Sequence, residues 1–252
     1  MNSRTIILLV VLMLPAHAAW ADRFVLQGST TFNDCIMADH LSAIEHATNN
    51  TLVVIPTKTN LGLIALLERQ ADFAMISTRI ESEIGTLRQT NPDLPFDLLQ
   101  TFNVSRTRMA FAVNPANSVR STSMDMMRRV LSGEITNWRD LGGPDLVIKL
   151  VFVRDGGGVQ TSVESQVLGG IPIRAPNPIR VQVGAQVLKI VEQEPGALGM
   201  SQLNLVERSR AVELSTNVEI EQKLDLVTLG APTPQMLEVI NAVKHIAKLY
   251  LK

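Results

Sequence analysis

A single cysteine, Cys35, occurs in the 252 residues, so no intramolecular disulfide can hold this chain together. Its thiol is expected to be a small buried core group. Charge is sparse as well. Only 19% of residues are charged, and 23 Lys and Arg against 24 Asp and Glu leave a net charge of −1 and a sequence pI near 6.4. This balance gives no global electrostatic reason to bind nucleic acid or an anionic membrane. The motifs G-x-S-x-G, H-E-x-x-H and G-x-x-x-x-G-K-[ST] are all missing, which removes the usual signatures of a serine hydrolase, a zinc protease and a phosphate-loop enzyme. His40 and His46 are not spaced to share a helical face and read as structural side chains, as does His245. No catalytic residue, metal site or cofactor is expected, and nothing in the sequence nominates a base for Ser29. Internal repeats, low-complexity tracts and long flexible linkers are absent too.

What is present is apolar material: 46% of residues are hydrophobic, enough for one or two packed domains. The first stretch, MNSRTIILLVVLMLPAHAAWAD, has Arg4 before an apolar core from Ile6 to Leu14, then small residues spaced A-x-A. It reads as a cleavable signal peptide, residues 1–21, cut after Ala21 in preference to Ala18, and too short to span a bilayer. The protein is therefore expected to be secreted. No cysteine near the cut offers a lipid anchor, and removing Arg4 leaves 22 basic against 24 acidic residues, a charge of −2.

Beyond Asp22, strand-like runs alternate with helix-period segments, which predicts an α/β fold with a largely parallel sheet. Strands are expected at 23–27, 51–55, 72–76, 108–113 and 146–153. Helices are expected from about Phe32 to His46, with Met37, Leu41 and Ile44 on one face, and over 61–69, with Leu61, Ile64 and Leu67. The clearest helix is the last. Thr233 should cap it, Pro234 should occupy its first position, and Met236, Ile240, Val243, Ala247 and Tyr250 should form its apolar stripe. Between Ser121 and Pro144 the pattern reads as a short helix, a glycine turn and a tryptophan-bearing loop.

Four turns between a strand and a helix carry groups that suit an oxyanion, because helix starts present unpaired N–H groups at the positive end of a dipole. The first is Gly28-Ser29-Thr30-Thr31, which could equally be simple N-capping. The second, TKTNLGL, places Thr59 before a helix with Gly62 at the turn. The third offers Ser77, Thr78 and Arg79, with Arg79 either facing a ligand or pairing with Glu81 and Glu83. The fourth is Arg154-Asp155 followed by Gly156, Gly157 and Gly158, where glycines let backbone approach an anion and the guanidinium supplies fork-shaped donors. Thr161 and Glu164 have capping-box spacing for the helix beyond.

Taken in order, GSTTF, LGLIALLERQADFAMISTR, AFAVNPAN, VLSGEITNWRDLGGPD, RDGGGV and PGALGM resemble the periplasmic phosphate-binding proteins of ABC importers. The resemblance covers most of the chain after the signal peptide, and the SGEITNW stretch is its most distinctive part. It implies the two-lobed periplasmic-binding-protein fold, each lobe a mostly parallel sheet flanked by helices and joined by crossover strands. Lobe I would comprise 22–106 plus 201–252 and lobe II 107–200, with AFAVNPAN on a crossover strand and PGALGM near the return crossover. It also implies a monomeric receptor without enzymatic activity that captures phosphate or a similar oxyanion and hands it to the importer's permease. Carried over residue by residue, Ser29, Thr30, Thr31, Thr59, Ser77, Arg154, Asp155, Gly157 and Gly158 would line the ligand site. The fourth turn departs from the family pattern. Gly157 and Val159 stand where Ser and Thr are usual, and one residue is missing after Arg154. Each lost hydroxyl is worth about 1.5–3 kcal/mol to a charged partner, a deficit that Thr161 and Ser162 could partly repair. A sensory or scaffold protein with weak or altered anion binding is the alternative. A carboxylate at Asp155 facing the cleft would favour protonated phosphate over sulfate.

Overall fold

The computed structural model describes residues 22–153 and 158–251. The signal-peptide reading, Arg154, Asp155 and Gly157 lie outside the described residues. In chain order the elements are β1 (Arg23–Ser29), α1 (Thr30–Phe32), α2 (Ala38–Thr48), β2 (Thr51–Thr57), α3 (Thr59–Leu67), β3 (Phe73–Ile76), α4 (Ile80–Thr90), β4 (Leu99–Val113), β5 (Ser121–Thr122), α5 (Met124–Leu131), β6 (Lys149–Val153), α6 (Gly158–Val167), β7 (Ile179–Val181), α7 (Gly184–Gln193), β8 (Ala197–Gln202), α8 (Leu203–Glu207), β9 (Val212–Thr216), β10 (Ile220–Leu229) and α9 (Pro234–Tyr250). The strand order is β2-β1-β3-β10-β4-β8-β6-β7, with β9 paired to β4 and β5.

Two parallel triplets therefore flank a central antiparallel pair. β1 pairs in parallel with β2 and β3, and β6 with β7 and β8; β10 runs antiparallel to β3 and β4, and β4 antiparallel to β8. This is the α/β arrangement the alternating pattern predicts. Helices cover both faces of each half. In the first, Phe32, Ile36, Ile44, Val239, Ile240 and Val243 pack on one face with Leu26 and Met75, while Leu63, Leu66 and Leu87 pack on the other. In the second, α5 and α6 cover one face through Met127, Leu131 and Val163, and α7 covers the other through Val187 and Val191. Trp138 is fully buried there, its Nε1 donating to Gly196 O at 2.9 Å. Burial of such a side chain stabilises by roughly 1.5–3 kcal/mol, which accounts for the tryptophan in the SGEITNW stretch.

Several expectations shift in detail. The first helix starts at Thr30 and runs on through a π-helical turn, Asn33–Met37, into α2. Gly62 lies inside α3 instead of at a turn. A Cβ there would sit 2.6 Å from Gly28 Cα, so the missing side chain is what lets α3 rest on β1. The strand expected at 108–113 is the last six residues of β4, a strand of 15 residues. Its earlier part faces water with Gln100, Thr101 and Asn103 and carries no apolar run to announce it. PGALGM leads into β8; the returning strand is β10. The last helix keeps its cap, with Thr233 Oγ1 accepting from Met236 N. Tyr250 leaves the apolar stripe, exposed and stacked on His40 with ring centroids 4.2 Å apart.

β4 and β10 belong to both halves, and β10 shifts register between Leu224 and Asp225. Asp225 is buried and accepts from Asn103 Nδ2 at 2.6 Å. Burial raises its pKa above the ordinary 3.8, opposed by the Asn103 hydrogen bond. A raised carboxylate pKa means the folded state holds its proton more tightly than the unfolded chain. The ionised group therefore costs stability above the raised value, and that cost disappears as pH falls through it toward 3.8. Asp225→Asn, which keeps the acceptor, should match or exceed the parent in urea midpoint at about pH 7, with the difference shrinking toward about pH 4. A loss that is largest at neutral pH would refute this account.

Candidate functional site

The first three turns converge. Ser29 ends β1, Thr59 opens α3 and Ser77 follows β3, and all three side chains are buried. Ser29 Oγ donates to Ser77 Oγ at 2.7 Å and accepts from Phe32 N at 3.2 Å, so it caps the helix and joins the cluster at once. The Ser77 N–H points at Thr59 Oγ1 at 3.5 Å. Gly28 makes the convergence possible. Its φ is +138°, and a Cβ there would overlap the Met75 carbonyl oxygen across the β1–β3 pair.

The second half closes onto this cluster. Gly158, the first residue of α6, lies so near that a Cβ on it would overlap Ser77 Oγ and come within 2.9 Å of Gln222 Nε2. Gln202, at the end of β8, donates from Nε2 to Thr31 Oγ1 at 2.9 Å. Gln222, on β10, donates from Nε2 to Ser77 O at 3.2 Å. Ser29, Thr31, Thr59, Ser77 and Gly158 are thus brought together. Thr30 lines a neighbouring space of about 20 Å³ with Thr31, Asp34, Gly158, Gly184 and Gln202, room for about one water. Gly158 and Gly184 are the first residues of α6 and α7, so two helix N-termini meet the start of α1 here, as oxyanion binding favours.

Three participants were not anticipated. Gln202 and Gln222 come from strands that carry no turn signal, and Asp34 sits in the π turn, where burial raises its carboxyl pKa. Other readings need correction. α6 begins at Gly158, so Thr161 is an interior helical residue and not a cap. Glu164 Oε1 instead accepts from Gln160 Nε2 and Ile173 N. Val159 is buried and brings no hydroxyl. Among the described residues Arg79 forms no ion pair with Glu81 or Glu83; Glu83 accepts from Thr78 Oγ1 at 3.0 Å. Cys35 is buried as expected, its thiol pushed up to about 11 by burial.

Residues 15–248 match the PBP superfamily domain. The chain belongs to the PBP superfamily. Within it, a phosphate-binding protein, PstS, of Bacillus subtilis is 32% identical over 107 residues, which are 42% of this chain and 35% of that relative. A second PstS, from Borreliella burgdorferi, is 22% identical over 228 residues, 88% of this chain and 74% of that one. A putative phosphate ABC transporter substrate-binding protein from Clostridium perfringens, solved with bound phosphate, superposes with a TM-score of 0.72 at 16% identity, over 88% of this chain and 92% of the other. The α/β architecture agrees with that superposition. Among the described residues no helix is long and apolar enough to cross a membrane.

Proposed function

We propose that this PBP-superfamily chain is a periplasmic receptor that captures an inorganic oxyanion, phosphate, between two lobes and delivers it to the permease of an ABC importer. The observation that carries the proposal is the buried hydroxyl cluster of Ser29, Thr59 and Ser77 facing the start of α6 at Gly158. Hydroxyls and unpaired helix-start N–H groups together make a site that donates hydrogen bonds and attracts negative charge. The phosphate-binding proteins similar to this chain support the choice of anion. Arg154, Asp155 and Gly157 complete the proposed set, with Arg154 supplying the full charge.

The lobes divide as 22–106 with 201–252 and as 107–200, except that 201–216, which pairs with 109–113 and packs Val206 and Ala211 against α7, moves with the second lobe. Opening and closing is a hinge motion about β4 and β10. The receptor acts as a monomer and catalyses nothing. Asp34, beside Thr30 and Thr31, is a second carboxylate besides Asp155 that can accept the proton phosphate keeps near neutral pH and that repels fully ionised sulfate.

Calorimetric titration of the ligand-stripped protein with phosphate and sulfate tests this. Phosphate should bind with clear preference over sulfate. Ser77→Ala should weaken binding by roughly 10- to 100-fold, the equivalent of one lost charge-assisted hydrogen bond. Asp34→Asn should narrow the gap between the two anions. Absence of heat with either anion would end the phosphate proposal and favour a sensory or scaffold role, for which the missing hydroxyl at buried Val159 is the specific observation.

A further inference from the structure

Beside the hydroxyl cluster, and sharing Ser77 with it, opens a cavity of about 400 Å³ between the third turn, α6 and the crossing strands. A space of that size falls within the roughly 300–1,000 Å³ of pockets for small organic ligands, and a single tetrahedral oxyanion would leave most of it unfilled. Its charge is one-sided. Arg79, Arg106 and Lys223 line it against one carboxylate, Glu221, which already pairs with Arg106 at 3.1 Å. Hydroxyls of Thr78, Thr161, Ser162 and Ser165 also line it, and Thr78 and Ser162 are themselves buried.

One buried group in the wall has no partner. Gln222 is 1% exposed; its Nε2 donates to Ser77 O, which can only accept, so its Oε1 must be the other amide atom. That Oε1 finds no donor among the described residues. A buried acceptor left bare costs about 1–3 kcal/mol, and an incoming ligand that carries both negative charge and a proton to donate would recover it. A second phosphoryl group retaining one P–OH has both properties.

We propose that this cavity is a second anion subsite, continuous with the phosphate site, and that the ligand class it selects is a condensed phosphate. One phosphoryl group lies at Ser29, Ser77 and Gly158, and the next lies against Arg79, Lys223 and Gln222 Oε1. The inference rests on the phosphate-receptor reading above and extends it.

Titration of the ligand-stripped protein with orthophosphate, diphosphate and glycerol 3-phosphate, in buffer free of divalent cations, decides it. Diphosphate should bind about 10-fold or more tighter than orthophosphate, and that ratio should fall to near one in Arg79→Ala/Lys223→Ala. Both substituted side chains are on the surface, and a thermal melt of the variant confirms that it folds. Orthophosphate binding as tight as or tighter than diphosphate binding, or a ratio that survives the double substitution, would overturn the subsite while leaving the phosphate receptor intact. Glycerol 3-phosphate binding as well as diphosphate would overturn the condensed-phosphate assignment, since a neutral polyol would then suffice. Loss of binding for all three would remove this inference together with the reading beneath it.

Discussion

Gly158→Val is expected to weaken phosphate binding by at least about a hundredfold, or ~2.8 kcal/mol, with little change in melting temperature. The reasoning is geometric. Even a single Cβ on Gly158 overlaps Ser77 Oγ and presses on the Gln222 amide. Ser77 Oγ is not free to retreat, because it is held by Ser29 Oγ at 2.7 Å. The added side chain must therefore hold the start of α6 away from the turns after β1 and β3, and a bound anion would lose donors from one side of the cleft. The second half has its own core around Trp138, Leu150 and Phe152, to which α6 adds Val159 and Val163. Folding should consequently survive. Titration gives the affinity, and small-angle scattering should report a more open average shape with saturating phosphate. Wild-type affinity in this variant would show that the Gly158–Ser77 approach is not part of the binding conformation.

Gly28→Ala should do the opposite, striking stability first. The position combines a φ of +138°, which side chains rarely adopt, with a backbone neighbour, the Met75 carbonyl, that cannot swing aside as a side chain can. Gly28 is also paired to both Pro56 and Met75, at the centre of the first parallel triplet. Forcing a Cβ into this place should cost about 3 kcal/mol or more. For a chain of this size that is a fall of roughly 6–12 °C in melting temperature. Differential scanning calorimetry measures it directly. A shift of less than about 2 °C would show that β1 and β3 can separate there at little cost.

The two glycines illustrate what the sequence reveals and what it hides. Hydroxyl residues directly after apolar runs are visible because strand, turn and helix start are local patterns, and the ends of parallel strands share one edge of a sheet. Ser29, Thr31, Thr59 and Ser77 were legible for that reason, and so was the Thr233 cap. Gln202 and Gln222 were not, since each sits on a strand whose position depends on the chain crossing between halves and returning. No local pattern announces which distant turn a glutamine amide will reach. Gly62 looked like a turn residue because glycine usually marks one; the closeness of α3 to β1 gave the true reason. Thr161 and Glu164 satisfied a capping-box spacing, but the helix had already begun three residues earlier, at Gly158.

The place of β10 also dictates the order in which the molecule can be finished. Residues 220–229, synthesised near the end of the chain, fill the slot between β3 and β4 in the middle of the sheet. Until they arrive, both neighbours present bare edges, and the early triplet has nothing to join it to the later one. The half built on β1, β2 and β3 is therefore completed only by a segment far along the chain, so its folding waits on contacts of long sequence separation.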